Sequence, residues 1–171
     1  MNVAGKPESG DGWAAGPGGK PAWGLYGAAG LFLLAEGPRV LLQHRAQWTH
    51  QGGTWGIPGG ARDLQETASQ AAVREAVEEC TIDPGDIEII DEIVTAGPYP
   101  ANPARPELPG GWTYTSVLAR TKTGNLLDTV PNEESLELRW VPLGEVEQLP
   151  LLSAFRSAYA DLCRAARTLG R

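Results

Sequence analysis

Cysteine is scarce in this chain, because Cys80 and Cys163 are its two cysteines and they lie far apart without CxxC spacing. Such usage indicates neither a disulfide framework nor a zinc site. Basic residues are also few: 14 Lys and Arg stand against 21 Asp and Glu, which gives a formal net charge of −7. A surface of this sign repels polyanions and anionic membranes. We therefore expect neither a nucleic-acid polymer nor a membrane as partner, and a phosphorylated ligand would need an added cation.

Long hydrophobic runs are missing as well. The longest, residues 25–35, is interrupted by Gly27 and Gly30 and is too short to span a membrane. Residues 1–21 are rich in Gly, Pro and Ala and lack the apolar core of a secretory signal. We predict a disordered N-terminal tail over residues 1–21, one domain over residues 22–171, and a cytoplasmic location.

Turn residues divide the remaining sequence into strand-like and helix-like segments. Apolar runs at residues 23–34 and 39–45 flank a Glu-Gly-Pro turn at 36–38 and predict a β-hairpin. Further strands are predicted at 87–94, 113–120 and 136–141, and helical spacing at 67–80 and 151–169. Strands interleaved with two sizeable helices predict an α/β/α sandwich, in which a mixed sheet lies between helices.

The first predicted helix follows a loop at residues 51–60 that contains five glycines. Thr67 and Gln70 have the spacing of a capping box, which indicates where this helix begins. At about 100° of rotation per residue, Glu75, Glu78 and Glu79 share one face. Small and branched apolar residues occupy the other side and can pack on the sheet: Ala72, Val73, Ala76 and Val77.

A divalent cation would relieve the repulsion between these three carboxylates. Mg²⁺ prefers oxygen ligands and often binds through carboxylates together with substrate phosphates. The carboxylates also lie late in the helix, where the helix dipole favours a cation. Taken alone, however, a Glu-rich helix is more often an ordinary solvated face, and the longer sequence pattern decides between these interpretations.

From Gly60 the chain reads five residues, Glu66, seven residues, and then Arg-Glu-Ala-Val-Glu-Glu at 74–79. This spacing closely resembles the Nudix box of the MutT-like hydrolase superfamily, and the resemblance extends over about residues 23–169. One departure is Thr81, where the family has glycine. Because a β-branched residue is strained in the left-handed conformation, we expect the helix to end differently here, with help from Pro84.

The resemblance implies roles for individual residues. Glu75, Glu78 and Glu79 would bind Mg²⁺, or Mn²⁺, with the Gly59 carbonyl as a further ligand, while Gly60, Glu66 and Arg74 would support them. Catalytic roles would fall to Glu75, Glu79 and a loop acid, for which we select Glu134 over an ordinary solvated acid. Arg45 matches a phosphate-contacting arginine of MutT-like enzymes, although a strand-end charge is an equal alternative.

The implied activity is metal-dependent hydrolysis of the diphosphate linkage in a small nucleotide-like substrate, either a nucleoside diphosphate derivative or a (d)NTP. An ADP-ribose-type pyrophosphatase, a non-catalytic nucleotide-binding regulator on the same fold and a plain interaction domain remain open. Trp55 and Trp48 could stack on a base, whereas Trp112 and Tyr114 are expected in the core. The asparagine with which oxidised-guanine hydrolases of the family read the purine has no evident counterpart, since Ser153 stands near its place. The oligomeric state is left open.

Overall fold

A twisted mixed sheet forms the centre of the computed structural model, which describes residues 5–169. The described residues form nine strands: β1 Trp13–Ala15, β2 Pro21–Trp23, β3 Ala28–Ala35, β4 Arg39–Arg45, β5 Trp55–Gly56, β6 Gly59–Ala61, β7 Ile87–Tyr99, β8 Trp112–Thr121 and β9 Ser135–Pro142. The two α-helices are α1 Ala68–Cys80 and α2 Ser153–Leu169, and short 3₁₀ helices cover Pro17–Gly19, Pro84–Asp86 and Leu143–Gln148.

Seven of these strands form the main sheet, in the order β5-β4-β3-β8-β7, with β6 added to β3 and β9 to β4. Strand β3 runs parallel to β8, and the other pairs are antiparallel. The predicted hairpin is confirmed, because β3 and β4 pair across the turn at 36–38. Strand β6 pairs with β3 at residues 28–30 and so brings the glycine loop to one end of the sheet.

The two α-helices cover opposite faces of the sheet, which confirms the α/β/α sandwich. Alternation along β3 explains the arrangement, because Leu31 and Leu33 pack with α1 while Phe32 packs with α2. Small residues on α1 let it approach the strands closely: Ala68, Ala71, Ala72 and Ala76. Phe155, Tyr159 and Leu162 fill the α2 side. No helix within residues 5–169 is long and apolar enough to cross a membrane.

The N-terminal segment differs from the disordered tail that the sequence predicts. Strands β1 and β2 form a small antiparallel hairpin, and the backbone N–H of Ala15 donates to the Pro109 carbonyl at 2.9 Å. Farther upstream, the Leu64 N–H donates to the Glu8 carbonyl at 2.9 Å. The prediction of disorder is therefore wrong for residues 5–21, since backbone hydrogen bonds tie them to the domain. Residues 1–4, together with 170 and 171, lie outside the described part.

The end of α1 also differs from expectation. Thr81 adopts the left-handed conformation, with φ 59° and ψ 41°, and its N–H donates to the Val77 carbonyl at 3.0 Å. Its hydroxyl donates to the Val130 carbonyl at 3.0 Å. The helix therefore ends as it would with glycine. Hydrogen bonds to the residue 130 segment offset part of the conformational strain that led us to expect another ending.

Candidate active site

Helix α1 begins with the predicted capping box. The Thr67 hydroxyl accepts from the Gln70 N–H at 3.1 Å, and the Gln70 side chain accepts from the Thr67 N–H at 2.9 Å. The helix then packs its alanine face on the sheet. Its position fixes where the glutamates of the following turns project, and these lie beside β6 and the loop before β9.

Glu79 is the most deeply buried of these glutamates, with 3% of its surface exposed. Its Oε2 accepts a hydrogen bond from the Gly59 N–H at 3.1 Å. Burial, and then the charges of Glu75 and Glu134, raise its pKa from the ordinary 4.5 to about 9. A carboxylate in this position calls for a cation, because one hydrogen bond does not offset the desolvation of its charge.

Glu75 lies one turn earlier on the same face and is more than half buried. Burial raises its pKa, an effect that Arg74 opposes and that Glu78 and Glu134 reinforce. Its carboxylate rests directly on Gly60. A Cβ at residue 60 would lie 2.6 Å from the Glu75 carboxylate carbon, which is closer than side-chain carbons approach in proteins. Any side chain at residue 60 would therefore displace the Glu75 carboxylate from this position, which supports the role predicted for Gly60.

Arg74 and Glu66 form the strongest ion pair of the site. The Arg74 Nε and one of its terminal nitrogens donate to the two Glu66 oxygens at 2.6 and 2.7 Å. Hydrogen bonding to Arg74 lowers the pKa of Glu66, and the pairing raises that of Arg74. A two-pronged pair of this kind fixes the guanidinium plane. The Arg74 guanidinium also donates to the Glu75 carboxylate at 2.9 Å. Glu66 thus positions Arg74, and Arg74 positions Glu75.

Glu78 differs from the other two glutamates of the helix. Its side chain is 56% exposed and lies 3.6 Å from Arg74. Within residues 5–169, no three His, Cys, Asp or Glu side chains are already arranged to hold a metal ion. The predicted ligands Glu75 and Glu79 thus lie together, whereas Glu78 would have to turn inward from solvent.

Glu134 reaches the glutamate cluster from the loop before β9. The Asn132 side chain accepts from the Glu134 N–H at 3.0 Å and donates to the Glu78 carbonyl at 3.4 Å, which attaches this loop to α1. Both Glu75 and Glu79 have pKa values raised by burial and further by Glu134. The structure therefore brings Glu134 to two acids that precede it by more than fifty residues along the chain.

This arrangement fits a divalent cation by its donor chemistry. The carboxylates here are half-buried or buried, have raised pKa values and lie close together. A hard cation, which takes oxygen ligands, would neutralise their negative charge. The Gly59 N–H holds Glu79 in place, so the loop backbone meets the carboxylates at the same point. Glu75 and Glu79 already lie together, whereas the exposed Glu78 side chain would have to turn to reach an ion bound between them.

Arg45 stands at the end of β4, at the same end of the sheet. Its side chain is half-buried, and its Nε donates to the His50 carbonyl at 2.9 Å. Burial and the charges of Glu79 and Glu75 raise the pKa of Tyr114, whereas the charge of Arg45 lowers it. Because Arg45 and the two glutamates act on the same hydroxyl, Arg45 lies at the border of the acidic cluster. A phosphate contact by Arg45 remains a prediction that this position supports.

Trp55 does not present the open ring that its predicted stacking role requires. It is 4% exposed and belongs to the core on the α2 side. His44 stacks on it with ring centroids 4.4 Å apart, and the Arg139 guanidinium lies 4.7 Å from its ring centroid. The assignment of Trp55 as a substrate-stacking residue is therefore wrong. The pairing of β5 with β4 places this ring against the α2-side core, which residue type alone does not reveal.

Tyr114 and Trp112, which were expected in the core, match that prediction only in part. The Tyr114 ring packs against the α2-side core, as expected, but its hydroxyl occupies the space that a side chain at Gly30 would fill. Within the described residues this hydroxyl has no hydrogen-bond partner in the protein. Trp112 is half-buried and donates from Nε1 to the Trp23 carbonyl. Sequence reasoning missed the Tyr114 hydroxyl, for which Gly30 in the middle of a strand is a signal.

Ser153, which lies near the expected place of the purine-reading asparagine, is already hydrogen-bonded to another side chain. Gln51 donates from Nε2 to the Ser153 hydroxyl and accepts from the Ser153 N–H, both at 3.0 Å. Gln51 itself has a positive φ of 50°. The loop of residues 46–54 is thus fastened to the start of α2, and Ser153 is not a free reader of a base.

Comparison with known proteins agrees with this geometry. A family model described as NUDIX domain matches residues 24–162. A Mycobacterium tuberculosis protein named "Putative 8-oxo-dGTP diphosphatase 3" is 49% identical over 164 residues, which cover 94% of this chain and 72% of that protein. A Bifidobacterium longum protein named as a nucleoside triphosphate pyrophosphatase/Nudix hydrolase fusion is 39% identical over 88% of this chain and 30% of its own length.

Among solved structures, the Nudix hydrolase RenU from M. smegmatis superposes with a TM-score of 0.83 at 44% identity, covering 93% of this chain and 96% of that one. This chain therefore belongs to the Nudix hydrolase family.

Proposed function

We propose that this Nudix hydrolase uses Mg²⁺, which Mn²⁺ can replace, to cleave the diphosphate linkage of a nucleoside diphosphate derivative or a (d)NTP. The observation that carries the proposal is the crowding of Glu75, Glu79 and Glu134 at the glycine loop, where burial raises the pKa of Glu79 to about 9. A fold does not retain such a cluster for stability, because unpaired buried carboxylates weaken it. Sites with perturbed pKa values in this form are typical of catalysis.

Glu75, Glu78 and Glu79 would hold the metal together with the Gly59 carbonyl, while Arg74 and Glu66 orient Glu75. The bound metal would supply charge neutralisation at the phosphoryl oxygens and an acidified water. Arg45, at the rim of the cluster, would contact a substrate phosphate through the guanidinium nitrogens that the His50 carbonyl leaves free.

Glu134 is the residue we propose as general base. Glu134 approaches from a loop rather than from α1. It can therefore accept a proton from water while the glutamates of the helix stay bound to the metal. Its N–H is bonded to Asn132, which is itself bonded to the Glu78 carbonyl, and this fixes the loop relative to the other acids. Glu75 and Glu79 remain as alternatives, each being more firmly committed to the metal.

Oxidised dGTP is a second candidate as substrate. It is favoured by the name of the M. tuberculosis relative at 49% identity. It is disfavoured by Ser153, which is bonded on two atoms to Gln51 and stands where a purine-reading asparagine would be expected. Reading of an oxidised guanine would then need other groups in the cleft.

The remaining alternatives have less support. A solved Nudix domain of the Shewanella oneidensis protein NrtR bound to ADP-ribose is 23% identical, and a Francisella tularensis ADP-ribose pyrophosphatase is 18% identical, so both indicate the fold alone. A non-catalytic regulator would be expected to have lost part of the glutamate set. Every glutamate of that set is present here.

One assay tests the proposal directly. The enzyme is incubated with dNTPs, oxidised dGTP, ADP-ribose, NADH and dinucleoside polyphosphates, with Mg²⁺ or with a chelator, and the released products are identified. We expect metal-dependent release of a mononucleotide from at least one of these compounds. Turnover that persists in chelator, or no release from any of them, contradicts the proposal.

A further inference from the structure

Trp48 lies in the loop of residues 46–54, between β4 and β5, and 69% of its surface is exposed. The other strongly exposed tryptophans, Trp13 and Trp23, are at 52% and 47%, and they pack edge-on against each other in the N-terminal hairpin. Trp48 has no such aromatic neighbour within the described residues. One face of its indole ring is therefore exposed to water, which is less favourable for an apolar surface than burial.

The open indole is nevertheless held at one end. Its Nε1 donates to the Glu133 carbonyl at 3.2 Å, and Glu133 directly precedes the acid of the cluster, Glu134. The Ala46 N–H donates to the Glu134 carbonyl at 2.8 Å. Two hydrogen bonds thus join the tryptophan loop to residues 133 and 134, so the ring stands beside the loop that supplies Glu134.

The loop that carries the ring is itself tightly bonded. The Thr49 hydroxyl and N–H both donate to the Ala46 carbonyl, at 2.6 and 3.1 Å. Farther along the loop, the Arg45 side chain donates to the His50 carbonyl, and Gln51 is bonded twice to Ser153. An exposed aromatic on such a support loses little conformational entropy when a ligand binds.

We propose that Trp48 is the stacking platform for the aromatic base of the substrate. This role rests on the proposed function, in which the substrate phosphates bind at the acidic cluster and Arg45. A nucleotide has an anionic end and a flat apolar end, and the exposed ring of Trp48 lies in the loop that directly follows Arg45, the proposed phosphate contact. Trp55, the alternative platform in β5, is covered by His44 and buried.

Stacking on an indole depends on the π-face of the base and not on its hydrogen-bonding edge. Trp48 would therefore give affinity for nucleotides as a class, with little discrimination between bases. This property agrees with the occupied Ser153, which is bonded to Gln51 and cannot read a purine edge freely.

The test compares two ligands that share phosphate and differ in the base. Binding of AMP and of inorganic pyrophosphate, each with Mg²⁺, is measured by calorimetry for the wild-type enzyme, Trp48→Ala and Trp48→Phe. Trp23→Ala is the matched control, because it removes another exposed tryptophan from the N-terminal hairpin. Base–aromatic stacking is worth about 1–3 kcal/mol, so we expect AMP to bind on the order of tenfold to a hundredfold more weakly to Trp48→Ala.

Trp48→Phe should keep most of the affinity for AMP, and pyrophosphate should bind all variants alike. Equal AMP binding by Trp48→Ala and the wild type overturns the stacking role, as does an equal loss of pyrophosphate affinity, which would point to loop distortion. Failure of the proposed function is recognised separately, because wild-type enzyme would then release no mononucleotide in the substrate assay, whatever residue 48 is.

Discussion

At the scale of single residues, the site depends on which acid has which neighbour. Glu75 and Glu79 share the space beside the glycine loop, and Glu134 enters from another part of the chain. Glu79 is further engaged by the Gly59 N–H and Glu75 by Arg74. These contacts hold Glu75 and Glu79 in place, and they distinguish the two proposed metal ligands from Glu134, the proposed base.

Glu134→Gln tests this separation. If Glu134 is the general base, kcat should fall by about 10²–10⁴-fold while Mg²⁺ affinity changes little, since general-base catalysis contributes factors of that size. Glu133→Gln is the matched control, because this neighbouring acid is exposed and contacts Trp48 through its backbone. Steady-state kinetics and Mg²⁺ calorimetry give the two readouts. A Glu134→Gln enzyme with unchanged kcat would refute the base assignment.

Gly60→Ala tests the fit between the glycine loop and Glu75. The added methyl carbon would lie 2.6 Å from the Glu75 carboxylate, so that side chain must move away from its place in the cluster. Displacement of groups that orient metal ligands typically costs about 10–100-fold in metal affinity, and we expect a loss of that order in Mg²⁺ calorimetry.

Gly56→Ala provides the control in the same loop, because its added carbon would come no closer than 3.5 Å to Leu152. It should leave Mg²⁺ affinity unchanged. If the two alanine variants bind Mg²⁺ equally well, the close contact between Gly60 and Glu75 has no part in forming the site.

At the scale of elements, the end of α1 shows a local preference overruled by its surroundings. Thr81 carries the branched side chain that disfavours a positive φ, yet it takes φ 59°. Its N–H and hydroxyl both find carbonyl acceptors there, at Val77 and Val130. The strained position also links α1 to the segment that leads toward Glu134.

Two substitutions at Thr81 separate the strain from the hydrogen bond. Thr81→Val keeps the branched strain and loses the bond to Val130, so the free energy of unfolding should fall by about 1 kcal/mol. Thr81→Gly loses the same bond but relieves strain of about 1–2 kcal/mol, and should be at least as stable as the wild type. Urea unfolding measures both. A valine variant more stable than the glycine variant would contradict this account.

Much of the fold could be predicted because its signals are local. The capping box and alanine-rich face define α1, and the turn at 36–38 defines the β3–β4 hairpin. The N-terminal segment gave no such signal, since its order comes from backbone bonds of Ala15 to Pro109 and of Glu8 to Leu64, which are distant in sequence. Strand β7 extends past the predicted residue 94 to Tyr99 because pairing with β8 continues across bulges.

The site was predictable to the extent that it lies on α1 and the glycine loop, where spacing and resemblance fix the residues. The position of Glu134 depends on how the loop before β9 returns to the helix, which residue types do not encode. Trp55 and Trp48 also show that residue type alone does not predict which side chain is exposed. Both are tryptophans of one loop region, but strand geometry buries one at 4% exposure and leaves the other at 69%.

At the scale of the whole molecule, the acidic cluster links stability to pH and to metal. Glu79 has a pKa raised from 4.5 to about 9, mainly by burial, and that of Glu75 is raised in the same direction. The folded protein therefore holds these protons more tightly than the unfolded chain does. The contribution is absent below pH 4.5, where both states are protonated, and destabilises increasingly as the pH rises toward 9.

Thermal unfolding in chelator should accordingly show a Tm that falls as the pH rises from about 5 to about 9. Added Mg²⁺ should raise the Tm, and more so at the high end of this range, where protons no longer compete for the carboxylates. Glu79→Gln should flatten the pH dependence in chelator. A wild-type Tm that does not change over this range would contradict the account of a buried acidic cluster.

The central claim is that these carboxylates form one divalent-metal site, and Mg²⁺ titration calorimetry of wild type and Glu79→Gln tests it most directly. Glu88→Gln is the matched control, since Glu88 is an exposed acid paired with Arg120. We expect wild type and Glu88→Gln to bind Mg²⁺ alike and Glu79→Gln to lose binding. Undiminished Mg²⁺ binding by Glu79→Gln, or no binding by the wild type, would contradict the claim.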